Sequence, residues 1–291
     1  MPSTKTANQP PKVKLGNTRV TGKEQFYTPS AVAAQMALAL SQRIPDLANR
    51  TVIEPAGGTG AFIRAFEQLG VKNVIAFDIE PKHPLVKKQN FLEAQLTGAN
   101  AVTISNPPFG RNNSLSIPFF NHAAEASEFI AFIVPKSWRK WSVINRLDRR
   151  MHLIHDEELT IDYVDENDQP LHDKKHLNTV FQIWQKRHNL RPIIRVSDMG
   201  LVSKVQPEQA DVALTIFGYG CGTVRTQFER KPNSTRMFLK LNHPDALASL
   251  QTADFARFFR NTAYTEALSL QEVNYLLNSA ILGNPHLVEI G

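Results

Sequence analysis

Short apolar runs recur along the first two-thirds of the chain, each about the length of a buried strand and each separated from the next by a stretch of helical spacing. Thr51-Val52-Ile53-Glu54, Val74-Ile75-Ala76-Phe77, Ala101-Val102-Thr103-Ile104-Ser105 and Phe129-Ile130-Ala131-Phe132-Ile133-Val134 are such runs. Helices are predicted after Thr28-Pro29-Ser30, over Ala61 to Leu69 and over Trp138 to Arg149. Strands that are apolar throughout, rather than alternating, bury both faces, and the intervening helices supply the cover. Thr160 to Val164 and Thr179 to Trp184 follow with no clear helix between them. The expected architecture is therefore a doubly wound α/β sheet, mostly parallel, with an antiparallel end.

Beyond Arg187 the rhythm changes. Asp211 to Phe217 and Met237 to Leu241 read as strands around a glycine-rich turn at Gly218-Tyr219-Gly220-Cys221-Gly222, and helices are predicted over Pro244 to Phe259 and Leu270 to Ile281. At the other end, Lys5, Lys12, Lys14 and Arg19 lie among Pro2, Pro10 and Pro11 with no acid before Glu24, the pattern of a flexible basic arm. Three parts are expected: an arm over 1–22, a core domain over 23–188 and a small α+β C-terminal region over 189–291.

Composition narrows the function class. At 42% hydrophobic residues the chain is globular, and no run reaches the roughly 18 apolar residues of a membrane helix. With no apolar leader after Met1 and a single cysteine, Cys221, a cytoplasmic protein without disulfides or a zinc site of ordinary spacing is expected. A formal charge of +6 leans toward a polyanionic partner.

Two segments carry candidate chemistry. Glu54-Pro55-Ala56-Gly57-Gly58-Thr59-Gly60 leaves a strand and opens a helix, and Asp78 closes the next strand, where an acid holds ribose hydroxyls in nucleotide-binding folds. With Ile63 where a dinucleotide loop needs its last glycine, the loop suits a ligand that has a ribose but no pyrophosphate, such as S-adenosylmethionine. Ser105-Asn106-Pro107-Pro108-Phe109-Gly110 follows the run taken as the fourth strand, which in such a sheet flanks the first across the ligand crevice. The Asn106 amide oxygen and the Pro107 carbonyl can accept both N–H bonds of an exocyclic amine, the diproline stiffens the backbone, and Phe109 offers a face for an extruded base.

This tetrapeptide resembles the Asn/Asp-Pro-Pro-Tyr/Phe/Trp motif of class I amino-methyltransferases, and its Asn-Pro-Pro-Phe form is similar to the adenine-N6 branch in the gamma motif order, with Phe26-Tyr27-Thr28-Pro29 leading. The resemblance runs from about Gln25 to Gln185. It implies a Rossmann-like methyltransferase fold and catalytic roles for Asn106, Pro107, Pro108 and Phe109. Tyr27 and Thr28 would flank the methionine part of the cofactor, Glu54, Gly58 and Gly60 would wrap it, Asp78 would take the ribose, and Asn90-Phe91, in place of the usual Asp-Phe pair, the adenine. It implies S-adenosylmethionine as cofactor, no metal, and a nucleic-acid substrate, DNA favoured over RNA, in a restriction-modification, solitary or phage setting. RNA adenine methylation, protein glutamine methylation and a non-catalytic nucleic-acid-binding role are the alternatives. Cytosine carbon-5 chemistry is disfavoured, since Cys221 lacks the proline that precedes such a nucleophile. Lys136, Arg139, Lys140, Arg146, Arg149 and Arg150 are read either as phosphate contacts or as a solvated helix face. His172 and His176 are read as loop residues rather than metal ligands. The region over 189–291 is taken as the substrate-recognition region, with no helix-turn-helix or zinc module in it, and target sequence and oligomeric state are left open.

Overall fold

The computed structural model describes residues 26–96, 100–171 and 177–291. The basic arm, His172 and His176 lie outside the described residues. Seven strands, β1 (Thr51–Glu54), β2 (Asn73–Asp78), β3 (Val86–Lys88), β4 (Ala101–Ser105), β5 (Ser127–Pro135), β6 (Met151–Leu159) and β7 (Thr179–Lys186), form one sheet in the order β3-β2-β1-β4-β5-β7-β6. The first five run parallel, and β7 lies antiparallel between β5 and β6. This arrangement is the Rossmann-like methyltransferase fold expected from the strand rhythm.

The long apolar strand β5 shows why the run is continuous. Phe129, Ala131 and Ile133 face a core made with α1 (Ser30–Ser41) and α2 (Ala61–Gln68), where Met36, Leu40, Phe62 and Phe66 pack. The alternate residues Ile130, Phe132 and Val134 face a second core with α3 (Ser116–Ala126), filled by Phe120, Ala123, Trp138 and Trp184. Both sides of the pleat are thus buried, as a period of two requires.

The structure departs from the pattern reading at several elements. Thr160 to Val164 is not a strand: the preceding polar segment, β6, takes that place, and Val164 makes isolated bridges with Tyr27 and Pro170. The helix expected over Trp138 to Arg149 is a 3₁₀ turn over Lys136–Arg139 followed by the single turn α4 (Trp141–Ile144), because Trp138 and Trp141 are drawn into different clusters.

The remaining chain forms β8 (Ile193–Val196), β9 (Val202–Lys204), β10 (Val212–Thr215), β11 (Val224–Arg225), β12 (Arg236–Leu241) and β13 (Leu287–Ile290). An antiparallel sheet in the order β11-β10-β12-β9 has its own core, into which Leu250 and Phe255 pack together with Val273 and Leu277. The helix expected over Pro244 to Phe259 divides into α5 (Ala246–Thr252) and α6 (Ala256–Phe259), and α7 (Leu270–Leu282) follows behind a capping box of Ser269 and Glu272. Trp141 stacks near Phe258 and Tyr275, with ring centroids 5.6 and 5.4 Å away, and joins this region to the main sheet.

Candidate active site

Because β1 lies between β2 and β4, the carboxyl ends of these three strands bring Glu54, Asp78 and Ser105-Asn106 to one edge of the sheet. Between β1 and β4 the strand order reverses, which opens a crevice that neither connecting segment covers.

Glu54 is almost wholly buried. Its Oε1 accepts from Ser105 Oγ at 2.6 Å and from the Ala56 N–H at 3.0 Å, while Oε2 meets no hydrogen-bond partner among the described residues. Burial pushes the Glu54 carboxyl up to about 8, and the nearby Asp78 charge adds to the rise against the two hydrogen bonds. A neutral carboxyl with a spare oxygen is suited to a cationic ligand, which restores its charge.

Asp78 is held at both oxygens: Oδ2 accepts from Gly58 N–H and Oδ1 from Glu80 N–H, each at 2.8 Å. Two fixed carboxylate oxygens with lone pairs to spare match a diol. Gly58 (φ +45°) and Gly60 (φ +76°) adopt left-handed backbone, and a Cβ on Gly58 would stand 2.8 Å from the Tyr27 ring, one on Gly60 2.6 Å from His83. The glycines therefore let these two rings close over the loop. Tyr27 is further tied to Val164 by paired backbone bonds of 3.3 and 3.2 Å, and burial raises its phenol above the ordinary value. Lys82 donates its N–H to the Gly58 carbonyl and pairs with Glu166 at 2.7 Å, latching the loop to the turn beyond Val164. Thr28 is buried beneath this rim.

Asn106 donates its amide to the Phe26 carbonyl at 3.4 Å, leaving Oδ1 buried and without a partner among the described residues. Pro107 is buried and Pro108 half-buried. Phe109 is half-buried against the first core, and its carbonyl accepts from Leu115 and Ser116 at 3.3 and 3.4 Å, which anchors the tetrapeptide to the start of α3. Glu54, Gly58, Gly60, Asp78, Tyr27 and Asn106 are thus brought together. Asn90 and Phe91 are placed differently: Asn90 caps a 3₁₀ turn through Leu92 N–H and Glu93, and Phe91 is core, packed on Phe77, Phe119 and His122.

The cations after β5 are largely consumed within the fold. Lys136 pairs with Glu158, Arg139 with Asp156 and Glu158, Lys140 with Glu272 and Arg150 with Asp148. Arg149 donates to the Arg191 carbonyl and Arg146 to that of Asn112. Their geometry favours the structural reading. Two contacts were not legible from the motifs: the Ser105–Glu54 bond, whose only signal is that Ser105 precedes Asn106, and the Phe26 carbonyl that aims the Asn106 amide.

Among the described residues no helix is long and apolar enough to cross a membrane, and no group of three or more His, Cys, Asp or Glu side chains is placed to hold a metal ion. The residues at the strand ends fit S-adenosylmethionine: a buried oxygen on Glu54 without a partner among the described residues for a cation, a fixed carboxylate at Asp78 for the ribose, and glycines where the loop is overlaid.

No family model matches the chain. Two curated proteins of Haemophilus influenzae, the Type II methyltransferases M.HincII and M.HindII, are each 28% identical to it over 95 residues, a stretch covering 32% of this chain and 18% of each relative. Among solved structures, a provisionally assigned RNA methyltransferase of Pyrococcus horikoshii is 21% identical, with 60% of this chain and 93% of that one covered at a TM-score of 0.46. TrmN of Thermus thermophilus is 13% identical, with 53% and 49% covered at a TM-score of 0.38. The fold assignment rests on strand order and direction in this chain.

Proposed function

We propose that the chain is an S-adenosylmethionine-dependent methyltransferase acting on the N6 amino group of adenine in a nucleic acid, with DNA as the polymer. The observation that carries this reading is the buried Oδ1 of Asn106 at the switch point, without a partner among the described residues, beside Glu54 and Asp78, acids that suit a cationic ribose-bearing donor. S-adenosylmethionine supplies an electrophilic methyl group on its sulfonium. Asn106 Oδ1 and the Pro107 carbonyl accept the two N–H bonds of the target amine and aim its lone pair at that methyl. Phe109 stacks on the extruded base. The short likeness to two Type II methyltransferases supports DNA and a restriction-modification setting.

Transfer of tritium from labelled S-adenosylmethionine to unmodified duplex DNA, to RNA and to a protein extract tests the reading, with digestion of the labelled product to identify the base. N6-methyladenine from DNA is expected. Label in protein alone, or in no polymer, overturns it; label in RNA alone keeps the chemistry and changes the polymer.

A further inference from the structure

One face of the small sheet of the C-terminal region packs on α5 and α7. Val202, Val212, Leu214, Met237 and Leu239 turn toward the core shared with α5 and α7. Residues one step out of phase turn the other way, and the register places Ala213 opposite Arg225 and Phe238, and Thr215 opposite Arg236. Arg225 and Arg236 thus stand on the two neighbours of β10, on the face turned away from α5 and α7. The Arg225 guanidinium donates to Thr215 Oγ1 at 2.9 Å, which brings it to the same strand end as Arg236. Phe228 lies on Phe238 of this face, and Arg230 stacks over Phe228 while donating to three backbone carbonyls.

Neither arginine has a carboxylate partner among the described residues, and unlike those of Arg149, Arg191 and Arg230 neither guanidinium is engaged by backbone carbonyls. Lys136, Arg139, Lys140 and Arg150 each carry an ion pair; Arg225 and Arg236 carry none among the described residues. Asp211 is turned to the far end of β12, where its Oδ2 accepts from the Leu241 N–H, and Glu208 and Glu229 are exposed.

The strand end that bears the arginines leads into the glycine-rich turn. There Gly218, Gly220 and Gly222 all have positive φ, and backbone bonds from Cys221 to Gly218, Thr223 to Gly220 and Gly222 to Thr215 make the turn rigid. Tyr219 at its tip is fully exposed and Phe217 half-exposed. The same strand end pairs with the segment before α7: Leu268 N–H bonds to Ile216, Phe217 bridges Ala267, and Gly218 N–H bonds to Glu266. That segment in turn reaches the carboxyl end of β5, where Asn178 N–H bonds to the Ala263 carbonyl and Lys136 N–H to Asn178. Hydrogen bonds and the segment 263–268 therefore link the arginine pair to the carboxyl end of β5, the neighbour of the strand β4 that leads into Asn106.

We propose that Arg225 and Arg236 receive backbone phosphates of the polynucleotide flanking the target base, with Tyr219 stacking against one of its bases. This inference rests on the proposed nucleic-acid substrate and specifies the surface that holds it. Uncompensated guanidiniums with planar donor forks suit phosphodiesters, and a rigidly presented aromatic tip suits a base face.

The test measures the salt dependence of binding, by fluorescence anisotropy, to a labelled duplex DNA and a labelled RNA hairpin, for the full chain and for Arg225→Gln, Arg236→Gln and Tyr219→Ala. Arg150→Gln, which removes the same charge from a cation already paired with Asp148, is the control. Each arginine variant is expected to lower the slope of log K against log salt by about 0.9, and Arg150→Gln to leave it nearly unchanged. Tyr219→Ala is expected to weaken binding about 10-fold with the slope retained. Equal slopes for the full chain and both arginine variants overturn the surface assignment while leaving the proposed reaction standing. No binding of either polymer by the full chain, with S-adenosylhomocysteine still bound in calorimetry, overturns both.

Discussion

Asn106 and Phe109 share one tetrapeptide, yet truncation should affect them differently. The Asn106 amide is oriented by the Phe26 carbonyl and its Oδ1 meets no partner among the described residues; the proposed function gives that oxygen to the reacting amine and not to the cofactor. Asn106→Ala is expected to lower turnover by about 100-fold or more with calorimetric S-adenosylmethionine affinity within a factor of about 2 of the parent. Phe109→Ala removes a stacking face worth about 1–3 kcal/mol per base and should harm duplex substrates more than mismatched ones, whereas Phe109→Trp should retain most activity. Glu54 gives a prediction in pH. Its folded pKa of about 8 lies above the ordinary 4.5, so between these values the folded protein binds more protons than the unfolded chain. The stability from this group is complete below about pH 4.5 and is lost as pH rises through about 8. A cationic cofactor beside the carboxyl draws the pKa down, so binding at pH 7 should release up to one proton and strengthen with pH until about 8. Calorimetry in buffers of different ionisation enthalpy measures the release. Proton-neutral binding at pH 7 would place the cation elsewhere.

Among the elements, α7 is fastened by one carboxylate with two duties. Glu272, nearly fully buried, accepts from the Ser269 N–H at 2.8 Å in the capping box and pairs with Lys140 at 3.0 Å. Lys140→Met leaves that buried charge to the cap alone and should cost about 3 kcal/mol in urea denaturation, whereas Ser269→Ala should cost about 1 kcal/mol. Equal, small losses would mean that the pair is solvated in solution. Neither partner is conspicuous in the sequence, since the two lie far apart along the chain. What was legible were the strands buried on both faces, β1, β2, β4, β5 and β7, because their apolar runs leave little choice of environment. The edges were not. β3 has one buried residue in three, and β6 is a polar edge strand with a register shift between Leu153 and His155. Thr160 to Val164 alternates like a strand yet closes over the Tyr27 segment instead. Of the candidate site, Glu54, Asp78 and Asn106 could be read from their positions at strand ends, since the strand order carries them together. Phe91 was assigned by its neighbour in a motif, but an apolar ring next to Phe77 and Phe119 is drawn into the core.

At the scale of the molecule, the seven-stranded sheet and the small C-terminal sheet have separate cores. The Arg191 guanidinium donates to the carbonyls of Ile144 and Leu147 and lies over the Trp184 ring, pinning the chain as it leaves β7. Trp141 packs between Phe258 and Tyr275, rings that are themselves 5.3 Å apart, while Lys140, Asn145 and Asn178 add hydrogen bonds across the same junction. Removing the Trp141 ring takes away a large aromatic contact between the two regions while leaving each core intact. The parent protein should unfold in one thermal transition and Trp141→Ala in two, since cooperativity between cores depends on the area they share. S-adenosylhomocysteine sharpens the test. A ligand that binds only the folded form stabilises whatever unfolds with its site, so at 100 times its Kd it adds about 2.7 kcal/mol to that unit. In the parent it should raise the single transition. In Trp141→Ala it should raise the transition of the seven-stranded sheet and leave that of the C-terminal region in place, as followed by calorimetry. If both transitions move together in the variant, the two cores are coupled through Lys140–Glu272 and Arg191 without the aromatic junction.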